Sequence, residues 1–146
     1  MDTQQHLRLL QIMYAAQLAD AVRQYGQAGI LDRVTDEKRM ERRRSAAAQA
    51  AQLGITTPEA AFTTSAELFG CADWIVTEDG DGGFDASATR CLLCAMVKKA
   101  GGPSPCRVFC LDPIEAMVES LRPDAGVEVL ETLYDGERCR VCVTAS

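Results

Sequence analysis

The sequence predicts an α+β fold, in which N-terminal helices precede an antiparallel sheet of two hairpins packed against two further helices. Three observations predict it. Apolar residues recur at three- and four-residue steps in the first 70 residues, two pairs of short β-like runs follow, and each pair is joined by a glycine-containing turn. Because 146 residues is the size of one domain, we expect a single domain over 1–146, with a helical part (1–70) and a cysteine-rich α+β part (71–146).

The first predicted helix has a clear beginning and end. Asp2 or Thr3 can cap it, and an apolar stripe then continues as far as Tyr25. Gly26 and Gly29 break the pattern, so we expect the helix to end there.

Two more helices complete the helical part. The second is predicted to begin near residues 35–36 and to end before Gly54, with basic residues in its first turns and alanines in its later ones. The third has Thr57 as its cap, Pro58 at its first position and Gly70 after its end. The basic cluster Lys38–Arg44 could bind an anion or a nucleic-acid phosphate, but the interleaved acidic residues favour a solvated face. The alanine run permits close helix–helix approach and predicts a homodimer contact.

Residues 71–146 carry the signals of two hairpins and two helices. The glycine-rich turn at residues 78–83 and the Asp135-Gly136 pair join the predicted strands, and Asp112-Pro113 is a helix-capping signal. In chain order, the elements are strand 72–78, strand 84–90, helix 91–100, helix 112–121, strand 127–134 and strand 137–144.

Composition and charge exclude some classes of function. Residues 1–70 are electrically neutral, so the whole net charge of −6 lies in residues 71–146, and such an acidic half argues against nucleic-acid binding. No stretch approaches the roughly 20 apolar residues that span a bilayer. The N-terminus has no basic segment followed by an apolar run, so we expect a cytoplasmic protein without membrane contact.

All seven cysteines lie in residues 71–146, and two pairs have CxxC spacing. In a chain without an export signal, we interpret them as thiols or metal ligands rather than as disulfides. Cys91 and Cys94 are predicted on one face of a helix, near an N-terminus that favours thiolate. Cys139 and Cys142 are predicted on a strand, where their side chains point to opposite faces. We therefore expect Cys139 to be a core residue and not part of a chelating pair.

The candidate site consists of Cys91, Cys94, Cys106 and Cys110, on either side of a Gly-Gly-Pro loop at residues 101–103. Four converging thiols would suit a metal, with zinc as the natural choice, or a redox pair. The alternative is that these cysteines fill core positions. Trp74 is a further candidate for ligand binding, again with core packing as the alternative.

Two other residues are expected to lie outside the candidate site. Cys71 stands alone before the first predicted strand. His6, the only histidine, lies in the first helical turn and is expected to be solvated, so Ser-His-Asp machinery is not expected within one chain.

The cysteine spacing resembles that of a group of small prokaryotic α+β domains. These are the 2-aminothiazoline-4-carboxylate hydrolase-like family and, more distantly, the sensor domains named after vinyl reductase. The similar segments are Trp74-Ile75-Val76, Cys91-Leu92-Leu93-Cys94, residues 105–110 and residues 139–143. The resemblance implies a small-molecule pocket between sheet and helices, with cysteines at or near it, in a hydrolase or a sensory domain.

Three functions follow as hypotheses. The first is a small-molecule- or metal-binding domain with a cysteine-lined site, in a sensory role. The second is a hydrolase of a thiazoline-type or related small substrate, with Cys91 or Cys94 as the nucleophile or with a carboxylate that activates water. The third is a thiol-redox protein that uses the helical CxxC pair.

Overall fold

A computed structural model describes residues 1–145 of the chain. Within that range, five α-helices, one π-helical turn and four strands follow one another. Their bounds are α1 Thr3–Gln27, α2 Leu31–Leu53, α3 Pro58–Phe69, β1 Ile75–Glu78, β2 Phe84–Ala88, α4 Leu92–Ala100, the π turn Arg107–Leu111, α5 Asp112–Leu121, β3 Gly126–Glu131 and β4 Cys139–Thr144. The predicted α+β class, with N-terminal helices and a sheet of two hairpins, is confirmed.

The four strands form one antiparallel sheet in the order β1-β2-β4-β3. The two hairpins meet where β2 pairs with β4, in a register that sets Phe84 opposite Val143 and Ala88 opposite Cys139. The segment that contains α4, the π turn and α5 therefore connects β2 to the far edge strand β3.

Alternation along β2 and β4 gives the sheet one buried and one open face. Cys139, Val141 and Val143 are buried, whereas Arg140 and Cys142 between them are partly exposed. The buried face packs against Phe62 of α3 and against apolar residues of α5 in the larger of two core clusters.

Helix α4 lies mainly against α1 rather than against the sheet. Its Leu93 and Val97 are buried with Val22 of α1 and Val108 of the π turn in a second, smaller cluster. Helix α2 packs along α5, and its small Ala46 and Ala50 are buried in the larger cluster. Two alanines of the run are thus buried by contacts within the chain. The homodimer contact stays a prediction.

Helix α2 begins earlier than predicted, at Leu31 instead of near residues 35–36. Thr35 does not cap it, because its hydroxyl donates a hydrogen bond back to the Leu31 carbonyl within the helix. The turn before α2 is short because Gly29 adopts a left-handed conformation (φ +70°), and Ile30 is the N-cap residue without a side-chain hydrogen bond.

The hairpins are shorter than predicted because carboxylates take backbone N–H groups out of the strand pairing. Asp73 accepts hydrogen bonds from the backbone N–H groups of Thr89 and Arg90 at 2.8 and 3.0 Å, just beyond the end of β2. Glu131 accepts from those of Glu137 and Arg138 at 2.8 and 3.2 Å. The second hairpin therefore closes through a seven-residue loop at 132–138, and not through a two-residue turn.

Asp112 does not cap α5, because the π turn continues directly into that helix. Leu111 is the N-cap residue and has helical dihedral angles. The buried Asp112 carboxylate instead pairs with Arg39 at 3.1 Å and with Arg107 at 3.5 Å. Asp112 thus links α2 and the π turn through two ion pairs.

None of the helices within residues 1–145 is both long enough and apolar enough to cross a membrane.

Candidate functional site

A cavity of about 470 Å³ lies between the helical part and the cysteine-rich part. Helices α1, α2 and α3 supply one side of its wall, and the segments around Cys71, Cys91 and Cys110 supply the other. Its volume is within the range of ordinary small-molecule pockets. The lining residues are Tyr14, Leu18, Arg42, Ser45, Ala48, Gln49, Gln52, Leu53, Ser65, Phe69, Cys71, Ala72, Trp74, Cys91, Leu93, Phe109, Cys110, Pro113, Ile114 and Met117.

Aromatic pairs stiffen two parts of this wall. Tyr14 of α1 stacks on Phe69 of α3, with ring centroids 5.4 Å apart and an interplanar angle of 18°. Trp74 meets the ring of Phe62 edge to face at 5.1 Å. Trp74 is only 6% exposed, so it is a core residue that also presents part of its surface to the cavity.

Arg42 is the one charged residue among those that line the cavity. Its Nη1 donates a hydrogen bond to the carbonyl oxygen of Val108 in the π turn. Its guanidinium carbon lies 5.9 Å from the ring centroid of Phe109, within cation–π range. Partial burial lowers the pKa of Arg42, although a guanidinium remains protonated at neutral pH.

Three thiols form a row from the cavity wall into the core. Cys91 is the N-cap residue of α4, and its Sγ accepts a hydrogen bond from the Cys94 backbone N–H at 3.5 Å. The Sγ atoms of Cys94 and Cys106 are 3.6 Å apart in the buried interior. Ser104 supports this position, since its hydroxyl oxygen accepts a hydrogen bond from the Cys106 backbone N–H.

The thiols in this row differ in acidity. Hydrogen bonding from Cys94 lowers the pKa of Cys91 to about 7, against the opposing effect of burial. The same hydrogen-bonding partner lowers the pKa of Cys106. Hydrogen bonding to Cys106 and Cys91, together with burial, raises the pKa of Cys94. Negative charge on Cys106 also raises the pKa of Cys91, so a Cys106 thiolate opposes ionisation of Cys91.

Cys71 does not stand alone, contrary to the sequence-based expectation. Its neighbour Ala72 forms an isolated β-bridge with Cys91, and the Cys71 carbonyl accepts from the Leu92 N–H at 3.0 Å. Cys71 and Cys91 therefore share the cavity wall. Burial raises the pKa of Cys71 to about 11, so that it remains a thiol.

Cys110 lies on the π turn and also lines the cavity, while burial raises its pKa well above the ordinary value. The strand pair is separated as predicted. Cys139 is buried, with its Sγ accepting from the Leu133 N–H at 3.2 Å, whereas Cys142 lies on the open face of the sheet.

The six C-terminal cysteines thus have different environments. Of the predicted ligand-binding residues, Trp74, Cys91 and Cys110 line the cavity, whereas Cys94 and Cys106 lie behind its wall. Within residues 1–145, no group of three or more His, Cys, Asp or Glu side chains is arranged so that it could hold a metal ion. The zinc site at the four cysteines stays a prediction.

A second, more open groove of about 690 Å³ lies on the other side of the Cys71–Cys91 contact. Both cysteines also belong to its wall, together with the charged side chains of Arg8, Asp73, Arg90 and Lys98. Cys91 is partly exposed and can therefore be reached from this groove.

Sequence reasoning did not assign Arg42, Tyr14 or Phe69 to the site. Arg42 belongs to the basic cluster for which a solvated face was favoured over anion binding, and Tyr14 belongs to the apolar stripe of the first helix. No pattern singled out Phe69. Only the packing of helices that are distant in sequence brings them together. Outward extension of the first hairpin would pair Ala72 with Arg90, and the observed bridge of Ala72 to Cys91 is displaced from that register by one residue. The position of Cys71 therefore did not follow from the predicted hairpin. His6 is exposed, as predicted, and does not line the cavity.

Comparison with known proteins gives this chain no relative. No family model, no curated protein and no solved structure matches it. The resemblance to hydrolase-like and sensory domains therefore stays a prediction.

Proposed function

We propose that this domain binds a small organic molecule in the cavity between its helical and cysteine-rich parts. The observation that carries the proposal is the cavity itself. Its volume of about 470 Å³ suits a ligand of one or two rings, and its wall combines apolar side chains with a few polar groups. Such a wall holds the body of a ligand by apolar contact and orients it through the polar groups.

The polar groups lie mainly on α2. Ser45, Gln49 and Gln52 recur along one side of that helix and face the cavity, with Ser65 of α3 nearby. Cys91 and Cys110 add polarisable sulfur to a wall of aromatic and aliphatic side chains. This composition supports binding of a flat, largely apolar molecule.

A neutral fluorescent probe, N-phenyl-1-naphthylamine, tests the proposal. Trp74 is the only tryptophan and lines the cavity, so a bound probe is expected to be excited by energy transfer from it. We expect saturable binding of one probe per chain. Ala48→Phe, which fills the cavity, is expected to weaken binding by about tenfold or more, the equivalent of about 1.4 kcal/mol.

The matched control is Ala47→Phe, which adds the same ring at the neighbouring exposed position outside the cavity. It is expected to leave the affinity unchanged. Binding that does not saturate, or equal affinities in the two variants, would contradict the proposal.

The 3.6 Å separation of the Cys94 and Cys106 sulfurs favours a second candidate function, thiol–disulfide exchange. A disulfide needs an S–S distance of about 2.05 Å, so only a small approach of the two side chains is required. The redox pair is then Cys94–Cys106, with Cys91 as the accessible entry thiol, rather than the CxxC pair alone.

The exchange proceeds in three displacements. The Cys91 thiolate attacks an external small-molecule disulfide and releases one thiolate, which leaves a mixed disulfide at Cys91. Cys94 transfers its proton to the thiolate released first, attacks the Cys91 sulfur and expels the second thiolate. Cys106 then attacks Cys94, which forms the Cys94–Cys106 bond and frees Cys91. In total, two protein thiols are oxidised and one external disulfide is reduced to two thiols.

Incubation with glutathione disulfide, followed by peptide mapping, tests this candidate. We expect a Cys94–Cys106 disulfide in the parent chain and in a Cys142→Ser control. The Cys106→Ser variant is expected to stop at the Cys91–Cys94 disulfide or the mixed disulfide. A parent chain that accumulates no Cys94–Cys106 bond would exclude this function.

A further inference from the structure

We infer that the molecule held in the cavity is an organic anion, an apolar body with one acidic group, and that Arg42 binds that group. The inference rests on the proposed function of the cavity and specifies the class of ligand. It does not depend on any thiol chemistry.

The charge of the wall supports this assignment. No carboxylate lines the cavity, and Arg42 is the one cation among the lining residues. This occurs in a chain with 21 acidic side chains and a net charge of −6. Arg42 thus gives the wall a fixed charge opposite in sign to that of the protein as a whole, which favours recognition of an anion.

Arg42 also lacks a carboxylate partner within the described residues. Its neighbour Arg43 pairs with Glu119 at 3.7 Å, and Arg39 pairs with Asp112 at 3.1 Å, but no ion pair involves Arg42 among residues 1–145. Asp112 is the carboxylate with the largest influence on Arg42, and its two oxygens are already engaged by Arg39 and Arg107. The Arg42 charge is therefore left available to a ligand.

The guanidinium has hydrogen-bond donors to spare. It carries five N–H groups in a planar fork, and within the described chain only Nη1 has an acceptor, the Val108 carbonyl. That contact and the Phe109 ring hold the side chain in place at the cavity wall. A planar group fixed in this way is suited to bind a carboxylate or a sulfonate through two oxygens.

The other lining residues indicate that the rest of the ligand is apolar. Leu18, Phe69, Leu93, Ile114 and Met117 present apolar surface without charge. Burial raises the pKa of Tyr14, so that its hydroxyl remains a neutral donor beside the anion. A fully polar anion, such as inorganic phosphate, would leave this apolar surface uncovered, and we expect it not to compete.

Two probes with the same aromatic body separate the charge from the apolar contact. These are 1-anilinonaphthalene-8-sulfonate, which is an anion, and the neutral N-phenyl-1-naphthylamine. We expect the parent chain to bind the anionic probe more tightly. Arg42→Met is expected to weaken binding of the anion by about tenfold or more, the usual range for a charge-assisted hydrogen bond, and to leave the neutral probe unchanged.

Two further variants control for loss of structure. Arg42→Lys keeps the charge without the fork and is expected to retain part of the preference for the anion. Arg43→Met removes the adjacent exposed arginine and is expected to change neither affinity. Unchanged binding of the neutral probe shows that the cavity of each variant is intact.

The outcomes distinguish this inference from the proposed function. If the neutral probe binds and Arg42→Met leaves the affinity for the anion unchanged, the inference is wrong and the binding cavity stands. If Arg42→Met weakens both probes equally, Arg42 has a structural role and the inference is also wrong. If neither probe binds the parent chain, the proposed function itself fails.

Discussion

Cys91 and Cys94 lie at the beginning of helix α4, whereas Cys139 and Cys142 lie on strand β4. Both pairs have the same CxxC spacing. On the helix, the cap hydrogen bond brings the Cys94 N–H to the Cys91 sulfur at 3.5 Å. On the strand, alternation buries Cys139 and turns Cys142 to the open face of the sheet. The same spacing therefore brings two cysteines together on a helix and separates them on a strand, because the backbone conformation sets the direction of each side chain.

The largest expected effect concerns the two faces of β4. Cys139→Lys places a charge in the larger core cluster and is expected to lower the free energy of unfolding by about 3 kcal/mol or more. Cys142→Lys adds the same side chain on the open face, beside Asp85 and Glu128, and is expected to change stability by less than about 1 kcal/mol. Urea denaturation measures both. Similar losses in the two variants would mean that the faces are not distinct.

The second-largest expected effect concerns the rates at which Cys91 and Cys142 are alkylated. The pKa of Cys91 is lowered to about 7, whereas burial and the negative charge of Asp85 raise the pKa of Cys142. At pH 7 we therefore expect iodoacetamide to alkylate Cys91 at least about tenfold faster than Cys142.

The pH dependence has a definite sign. The thiolate fraction of Cys91 rises between about pH 6 and 8 and then levels off, so its alkylation rate should do the same. The alkylation rate of Cys142 should still be rising at pH 9. The ratio of the Cys91 rate to the Cys142 rate should therefore be smaller at pH 9 than at pH 7. Mass spectrometry of timed samples measures both sites. A Cys91 rate that keeps rising to pH 9 would count against a lowered pKa.

The smallest effect concerns the cap of α4. Cys91→Ala removes the acceptor for the Cys94 N–H and is expected to destabilise the protein by about 1 kcal/mol. Cys91→Ser supplies a better acceptor and is expected to be as stable as the parent chain or slightly more so. Thermal unfolding distinguishes them, and equal melting temperatures in the two variants would show that the cap contributes nothing.

Local signals predicted most of the fold. The Thr57-Pro58 start and Gly70 end of α3 are as expected, and Gly70 needs its left-handed conformation (φ +66°). The errors lie where side chains take over backbone hydrogen bonds, as when the Glu131 carboxylate ends the strand pairing of the second hairpin earlier than predicted. Such contacts leave no periodic signal in the sequence.

The candidate site was predictable only in part, for a related reason. Cys91, Cys110 and Trp74 lie within one half of the chain, and the cysteine pattern pointed to that half. Arg42 and Tyr14 come from helices whose own periodicity explains them without a site. The cavity is a property of how the two halves pack together, and a sequence pattern within one half does not encode it.

The position of the cavity between the two halves has a thermodynamic consequence. Its wall needs α1, α2 and α3 together with the segments at residues 71–74 and 91–117, so the cavity exists only in the assembled chain. Under the proposed function, free ligand at concentration [L] would therefore add RT ln(1 + [L]/Kd) to the free energy that holds the two halves together. Ligand occupancy and the stability of the packed halves would then be one coupled equilibrium.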